Sequence, residues 1–300
     1  MIKIVEKIIP IEHQQILKNK SILENVWHLR DSRDFEKNLL EFYEPDIWFT
    51  GKKRVFETYV ANKIIKNAKD SIVLCSFLLE KTKITDAILE AVENSIRVYI
   101  ITASENQLDK IYDLENELED ERVMEHKNLL KILRKKCLIR TAPHFHAKYV
   151  LIDPKQETRL GFISSANFTQ HAFSKNVEIG LQLNQVQIID LFNLFCYIFW
   201  NESKHEYLVE KTLRSVNKPP NNFFDTPKLS HVISPGMNID FEKTLKEYIE
   251  SSSGDIYLNT YSIDSKNSIF KLLLDELEKN RRVKIYVRPR KKDLETLSSL

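Results

Sequence analysis

The stretch HFHAKYVLID at residues 144–153, followed by ISSANFT at 163–169, decides how this chain is read. As an extended strand it turns successive side chains to opposite faces, so His144, His146 and Lys148 share one face with Val150 and Ile152. Phe145, Ala147, Tyr149 and Leu151 form the other, mostly apolar face, and Asp153 joins them at the strand end. An imidazole beside an ammonium suits an anion: the cation holds negative oxygens while the ring attacks or moves a proton. Asp153 reads as a brace behind that pair. Ser164, Ser165 and Asn167 add neutral hydrogen-bonding groups on the adjoining turn, and RLGFISSA (159–166) is the expected hairpin partner.

Outward from this stretch the chain alternates. RVFETYVANKIIKNA has helical spacing, SIVLCSFLL reads as a strand, KITDAILEAVEN as a helix and RVYIITA as a strand. The charged segment 104–136 carries Ile111, Leu114 and Leu118 at helical spacing. Such alternation predicts an α/β fold, a sandwich of helices on a mixed sheet.

After NKPPNN (217–222), read as a linker, the pattern begins again. Gly51, Phe56 and Glu57 recur as Gly236, Phe241 and Glu242, and Glu93, Arg97, Val98 and Ile100 recur as Glu278, Arg282, Val283 and Ile285, all displaced by 185 residues. SIVLCSF has its counterpart in DIYLNTY (255–261), slipped by one. These matches predict a duplicated unit. The same displacement carries His146 past Leu300, so the second unit stops before its own copy of the opening stretch. The expected organisation is a helical lead-in at 1–45, a complete unit at 46–205, a linker at 206–230 and an incomplete second unit at 231–300. The lead-in packs on the first unit or binds a partner. The natural chain is expected to continue beyond Leu300, or else its second half has lost its chemistry.

Bulk properties exclude little. The 300 residues are 42% hydrophobic and 29% charged, with a net charge of +2 that identifies no partner. Cys75, Cys137 and Cys196 match no metal or redox spacing and read as reduced thiols of a cytoplasmic protein. The amino terminus lacks the apolar core of a signal peptide. VQIIDLFNLFCYIFW (186–200) is too short to span a bilayer and contains Asp190, so it reads as a buried helix.

His146-Ala-Lys148, four residues, Asp153, then SSANFT, then NVE at 176–178 together resemble the HxKxxxxD signature of the phospholipase D superfamily. The resemblance covers roughly residues 50–200 as one complete unit. It implies that two copies of the motif face each other: one histidine attacks phosphorus to give a phosphohistidine, and the other protonates the leaving oxygen. His146 takes one of these roles. Lys148 and Asn167 hold the phosphoryl oxygens with Ser165 as a helper, Glu178 orients a catalytic imidazole, and Asp153 braces the motif. The resemblance implies no metal and no cofactor. Two departures stand out. Ser164 replaces the usual glycine before the serine, and the hairpin PKQETRLGF is longer than the compact family pattern.

Other readings stand beside this one. His144 and His146 form an HxH pair, a spacing that metal hydrolases use, although no further ligand cluster accompanies it. His171 is expected to face solvent on the loop after NFT, and Asn176 to be a turn former. GKKR (51–54), KILRKK (131–136) and RRVKIYVRPRKK (281–292) are basic clusters that either track a phosphate backbone or are plain surface. The function expected is a metal-independent phosphodiesterase, foremost a nuclease with nucleic acid as partner. Its second motif would come from the missing C-terminal part or from a homodimer, so the isolated 300 residues are expected to be weak or inactive unless they pair. The alternatives are a phospholipid hydrolase or transphosphatidylase, and a non-catalytic scaffold that keeps the duplicated fold.

Overall fold

A computed structural model of the chain describes residues 47–50, 55–103, 117–143, 145–208, 213–216, 241–260, 266–279 and 281–287. The chain divides into two compact units, one covering residues 39–233 and another to which residues 241–287 belong. The lead-in 1–45, GKKR, Gly51, Gly236, His144 and the NKPPNN segment lie outside the described residues.

In the first unit, β1 (Ile47–Phe49) precedes α1 (Val55–Tyr59), which continues through a π turn (Val60–Ile64) and a 3-10 turn (Ile65–Asn67). Then come β2 (Ser71–Cys75), α2 (Lys83–Glu93), β3 (Arg97–Thr102), α3 (Glu117–Leu133) and β4 (Leu138–Thr141). α2 forms because Ile84, Ala87, Ile88 and Ala91 recur on one buried face. Its start is fixed by a capping box, in which the Thr82 hydroxyl accepts from Thr85 N at 3.3 Å and the Thr85 hydroxyl accepts from Thr82 N at 2.8 Å. The opening stretch supplies β5 (Tyr149–Ile152), and β6 (Leu160–Ser164) is its antiparallel partner, as the hairpin reading expects. The unit continues with α4 (Gln170–Ser174), β7 (Ile179–Gln182), α5 (Gln185–Tyr197) with a π turn (Ile198–Glu202), β8 (His205–Tyr207) and β9 (Leu213–Ser215).

These strands form one mixed sheet in the order β1-β7-β6-β5-β2-β3-β4-β8-β9. β2, β3 and β4 run parallel, and the remaining pairs are antiparallel. The β8–β9 hairpin extends the sheet into residues read from sequence as linker. Register explains the core: Leu74 lies opposite Val150, which lies opposite Phe162. All three join Ile72, Val98, Ile100 and Ile152 in the main core under α1, α2 and α3. On the other face the Tyr149 hydroxyl donates to Leu191 O of α5 at 3.4 Å, and Tyr99 meets Phe199 edge-on. α5 approaches β6 so closely that a Cβ at Gly161 would stand 2.9 Å from Ile188 Cγ1 and Leu151 Cδ2. Covering both faces leaves β5 wholly buried.

Two expectations need correction. α5 is not buried all round: Ile188, Leu191, Leu194 and Phe195 face the sheet, whereas Val186 and Ile189 are exposed. One helical face cannot meet a flat sheet with its full circumference. Among the described residues, no helix is long and apolar enough to cross a membrane. The basic cluster RRVKIYVRPRKK is also internally committed in part. Arg281 donates to Gly254 O, Ile249 O and Glu276, and Arg282 pairs with Asp255 at 3.3 Å.

The second unit contains α6 (Phe241–Ser251), β10 (Ile256–Thr260), α7 (Ser268–Glu278) and β11 (Val283–Val287). β10 and β11 are parallel, with Ile256 opposite Val283, as β2 and β3 are parallel with Ile72 opposite Val98. Ile249, Leu272 and Leu273 form its small core.

Candidate active site

The main chain at 145–148 runs into β5, and Ser164 N donates to Lys148 O at 2.8 Å, extending the ladder by one step. The regular strand begins at Tyr149 rather than at residue 144. His146 and Lys148 nevertheless lie together. Lys148 Nζ is 2.7 Å from His146 Nδ1 and 3.3 Å from Nε2, so the ring lies alongside the ammonium, which also donates to His146 O at 2.6 Å. Lys148 is 6% exposed, and burial lowers its pKa to about 8 against the opposing pull of Glu178. His146 is at the surface, with one side of its ring 4.9 Å from the Phe77 ring. Burial first and Lys148 second hold its pKa below the ordinary histidine value, which favours the neutral imidazole.

Ser165 and Glu178 close the other side. The Ser165 hydroxyl donates to Glu178 Oε2 at 2.5 Å and accepts from Ile179 N at 3.0 Å. Asn176 Nδ2 donates to Glu178 Oε1 at 2.9 Å. The Thr50 hydroxyl accepts from Glu178 N and donates to Asn176 O, both at 2.7 Å. Asn176 is therefore more than a turn former, since it fixes the carboxylate. Asn167 Oδ1 lies 3.5 Å from Leu78 N, which leaves its Nδ2 as a donor. The SSANFT turn is fastened to residues 76–80: Phe168 N donates to Ser76 Oγ at 3.1 Å, and Glu80 N donates to Phe168 O at 3.1 Å.

Asp153 stands at the far end of β5. At about 3.3 Å of rise per residue, five residues separate it from Lys148 by roughly 16 Å. Its carboxylate is 1% exposed and accepts from Lys69 N, Asp70 N and Ser71 N at 2.8–2.9 Å. These hydrogen bonds go to main-chain groups at the start of β2 and not to the groups around His146.

His126 has no counterpart in the sequence reading. It is fully buried in α3, with Nδ1 accepting from Leu79 N at 2.9 Å and Nε2 lying 3.4 Å from Thr102 Oγ1. Thr102 donates to Phe77 O at 3.2 Å, so the two side chains grip the turn that carries Phe77 against His146. Burial pushes the His126 pKa down to about 4. The unfolded chain therefore takes up a proton between about pH 6.5 and pH 4 that the folded chain refuses. The associated stability is full above pH 6.5 and falls by about 3 kcal/mol as pH is lowered through that window. Urea unfolding at pH 7 and pH 4.5 is expected to show a smaller loss in His126→Gln than in the wild type; equal losses would contradict this assignment.

His171 is half-buried, not solvent-facing: α4 carries it into contact with neighbours that the loop reading did not anticipate. Among the described residues no group of three metal-ligating side chains occurs.

Residues 62–195 match the family described as "Cardiolipin synthase, PLD-like domain". A polyphosphate kinase from Porphyromonas gingivalis shares 15% identity with this chain at a TM-score of 0.55, over 81% of this chain and 38% of that one. Nuc from Salmonella typhimurium, a phospholipase D family member, shares 17% identity at a TM-score of 0.40, over 54% of this chain and 97% of its own. Phosphatidylserine synthase from Haemophilus influenzae Rd KW20 shares 16% identity at a TM-score of 0.40, over 57% of this chain and 45% of that one. No curated protein sequence matches the chain significantly.

Proposed function

The chain belongs to the phospholipase D superfamily, and from that premise we propose that it is a metal-independent phosphodiesterase acting on nucleic acid. The observation that carries this reading is the buried Lys148 ammonium lying against the surface imidazole of His146. Lys148 Nζ and Asn167 Nδ2 bind the non-bridging oxygens of a phosphodiester, and the His146 ring takes one of two imidazole roles, attacking phosphorus when neutral or giving up a proton when protonated. In the first step a ring nitrogen attacks phosphorus, a phosphorus–nitrogen bond forms, and the phosphorus–oxygen bond to the leaving group breaks as a second imidazole protonates that oxygen. In the next step that imidazole takes a proton from water, which attacks phosphorus and releases the first ring. The second imidazole comes from another His-x-Lys segment, further along a longer chain or in a second copy of this one. The helix–strand–helix–strand order of residues 241–287 supports a duplicated unit as its source. Glu178, held by Ser165 and Asn176, is aimed to orient the incoming imidazole. Asp153 and Ser165 keep bracing and helping roles.

A second reading has its own support. Val177 is 86% exposed, and Ile179 and Leu181 at alternate positions beyond it are exposed too, an apolar patch that suits a lipid surface. Cleavage of labelled single- and double-stranded DNA and RNA in EDTA, alongside release of soluble headgroup from phosphatidylcholine, separates the two. The nuclease reading predicts chelator-resistant nucleic acid cleavage. Headgroup release alone would overturn it, and so would activity abolished by EDTA.

The Lys148 ammonium also sets a pH limit. It loses its proton as pH rises through about 8, so kcat/KM is expected to fall on that alkaline limb. Lys148→Arg keeps its charge and is expected to move the limb upward. A limb unmoved in the variant would remove Lys148 from phosphate binding.

A further inference from the structure

Residues 76–80 lie between β2 and α2, outside any helix or regular strand, and three other parts of the fold hold them in place. Ser76 N donates to Ile101 O of β3 at 3.2 Å, while Ser76 Oγ donates to Leu78 O at 2.5 Å and accepts from Phe168 N at 3.1 Å. Phe77 O accepts from Thr102 Oγ1 at 3.2 Å and from Ala103 N at 3.4 Å. From α3, His126 Nδ1 accepts from Leu79 N, so the neutral ring carries its proton on Nε2 and turns it toward Thr102 Oγ1. Thr102 then spends its own hydroxyl proton on Phe77 O. Imidazole and hydroxyl thus form a buried bridge from Leu79 N back to Phe77 O, each donor meeting one acceptor.

The turn so held touches the site twice. Phe77 packs against Leu78, Ala103 and Val123, and its ring centroid lies 4.9 Å from that of His146 at an interplanar angle of 53°. Leu78 N reaches Asn167 Oδ1 at 3.5 Å, so the amide presents Nδ2 as its donor. His146 precedes the regular strand, which begins at Tyr149, so strand geometry alone does not set its ring. A reacting ring has to keep its direction within about 10–20°, and packing against a fixed neighbour achieves that.

We propose that Phe77 is a positioning residue: held by the His126–Thr102 bridge, its ring sets the plane of the His146 imidazole for in-line transfer at phosphorus. This rests on the phosphodiesterase reading and deepens it. A phenyl group suits the task, since it restrains the imidazole without competing for its nitrogens or for the phosphate. Lys148 and Asn167 keep their donors whatever side chain stands at position 77. The role is therefore felt in the chemical step and not in binding.

The test compares Phe77→Ala, Phe77→Tyr and Thr102→Val with the wild type in hydrolysis of bis(p-nitrophenyl) phosphate in EDTA, while NMR follows the His146 ring through a pH titration. Phe77→Ala is expected to lower kcat about thirtyfold with KM within about twofold, the signature of a misplaced reacting group. Water admitted beside the ring is expected to raise the His146 pKa toward the ordinary histidine value, since burial is the main cause of its depression. Phe77→Tyr keeps the ring and is expected to restore most of kcat. Thr102→Val removes the hydroxyl from the bridge without altering Phe77 or His146, and is expected to lower kcat by less than Phe77→Ala does. A merely structural role would reduce stability and leave the His146 titration where it was. Unchanged kcat in Phe77→Ala, an unmoved His146 titration, or a loss confined to KM overturns the inference and leaves the phosphodiesterase reading standing. If Phe77→Ala fails to fold, unchanged kcat in Thr102→Val overturns it instead. A wild type that leaves the diester intact overturns the phosphodiesterase reading and the inference with it.

Discussion

Replacing His146 by asparagine is expected to lower phosphodiester turnover by about 10⁴-fold or more, because removing one member of a concerted catalytic set forfeits nearly the whole effect. Asparagine preserves a polar side chain of similar reach but offers no ring nitrogen to attack phosphorus or to carry a proton. The fold has little reason to respond. The ring stands at the surface beside Lys148 and the tilted ring of Phe77, and β5 begins three residues later. Turnover of bis(p-nitrophenyl) phosphate and circular dichroism of the same sample check both halves. Activity lost with the fold intact is the expected pair of results. Undiminished hydrolysis would remove His146 from the chemistry.

Asp153→Ala is expected to act in the opposite way, on stability. Its buried carboxylate receives three main-chain N–H groups at the entrance to β2, and its own N–H donates to Ser71 O at 2.8 Å. Alanine would leave those donors without their charged acceptor in the interior. Asp153 also has φ of +46°, a left-handed backbone conformation that aspartate tolerates better than alanine. Together these effects are expected to cost about 3–5 kcal/mol in urea unfolding. Asp153→Asn retains one acceptor oxygen and tolerates the same conformation, so its loss is expected to be about half as large. An alanine variant as stable as the wild type would show that the brace is unimportant.

The two histidines show why some of this molecule is legible in its sequence and some is not. His146, Lys148 and Asp153 are ordered by one short stretch of extended chain, whose alternation already puts the cation and ring together and the carboxylate apart. The β5–β6 hairpin and the helix–strand alternation before it follow from local patterns of the same kind. His126 acts on Leu79 and Thr102, which lie 47 and 24 residues away. A buried acceptor meeting a distant amide leaves no periodic trace, and His126 sits within the charged segment 104–136. Thr50 is equally silent in sequence, since it reaches Glu178 across the pairing of β1 with β7. His171 is misread for a related reason: α4 is only one turn long, too short for spacing to reveal which way a side chain faces. The partial exposure of α5 follows from packing an apolar helix against one face of a sheet, where composition alone does not say which side remains open.

The central claim is that His146, Lys148 and Asn167 converge on one phosphorus atom. A crystal structure of the full chain with vanadate, which imitates the five-coordinate phosphorus of the transfer step, tests it most directly. The account predicts vanadium in line with a ring nitrogen of His146, and Lys148 Nζ and Asn167 Nδ2 at about 2.7–3.1 Å from its equatorial oxygens. Vanadate bound elsewhere, or bound with Lys148 turned away from it, would contradict that claim.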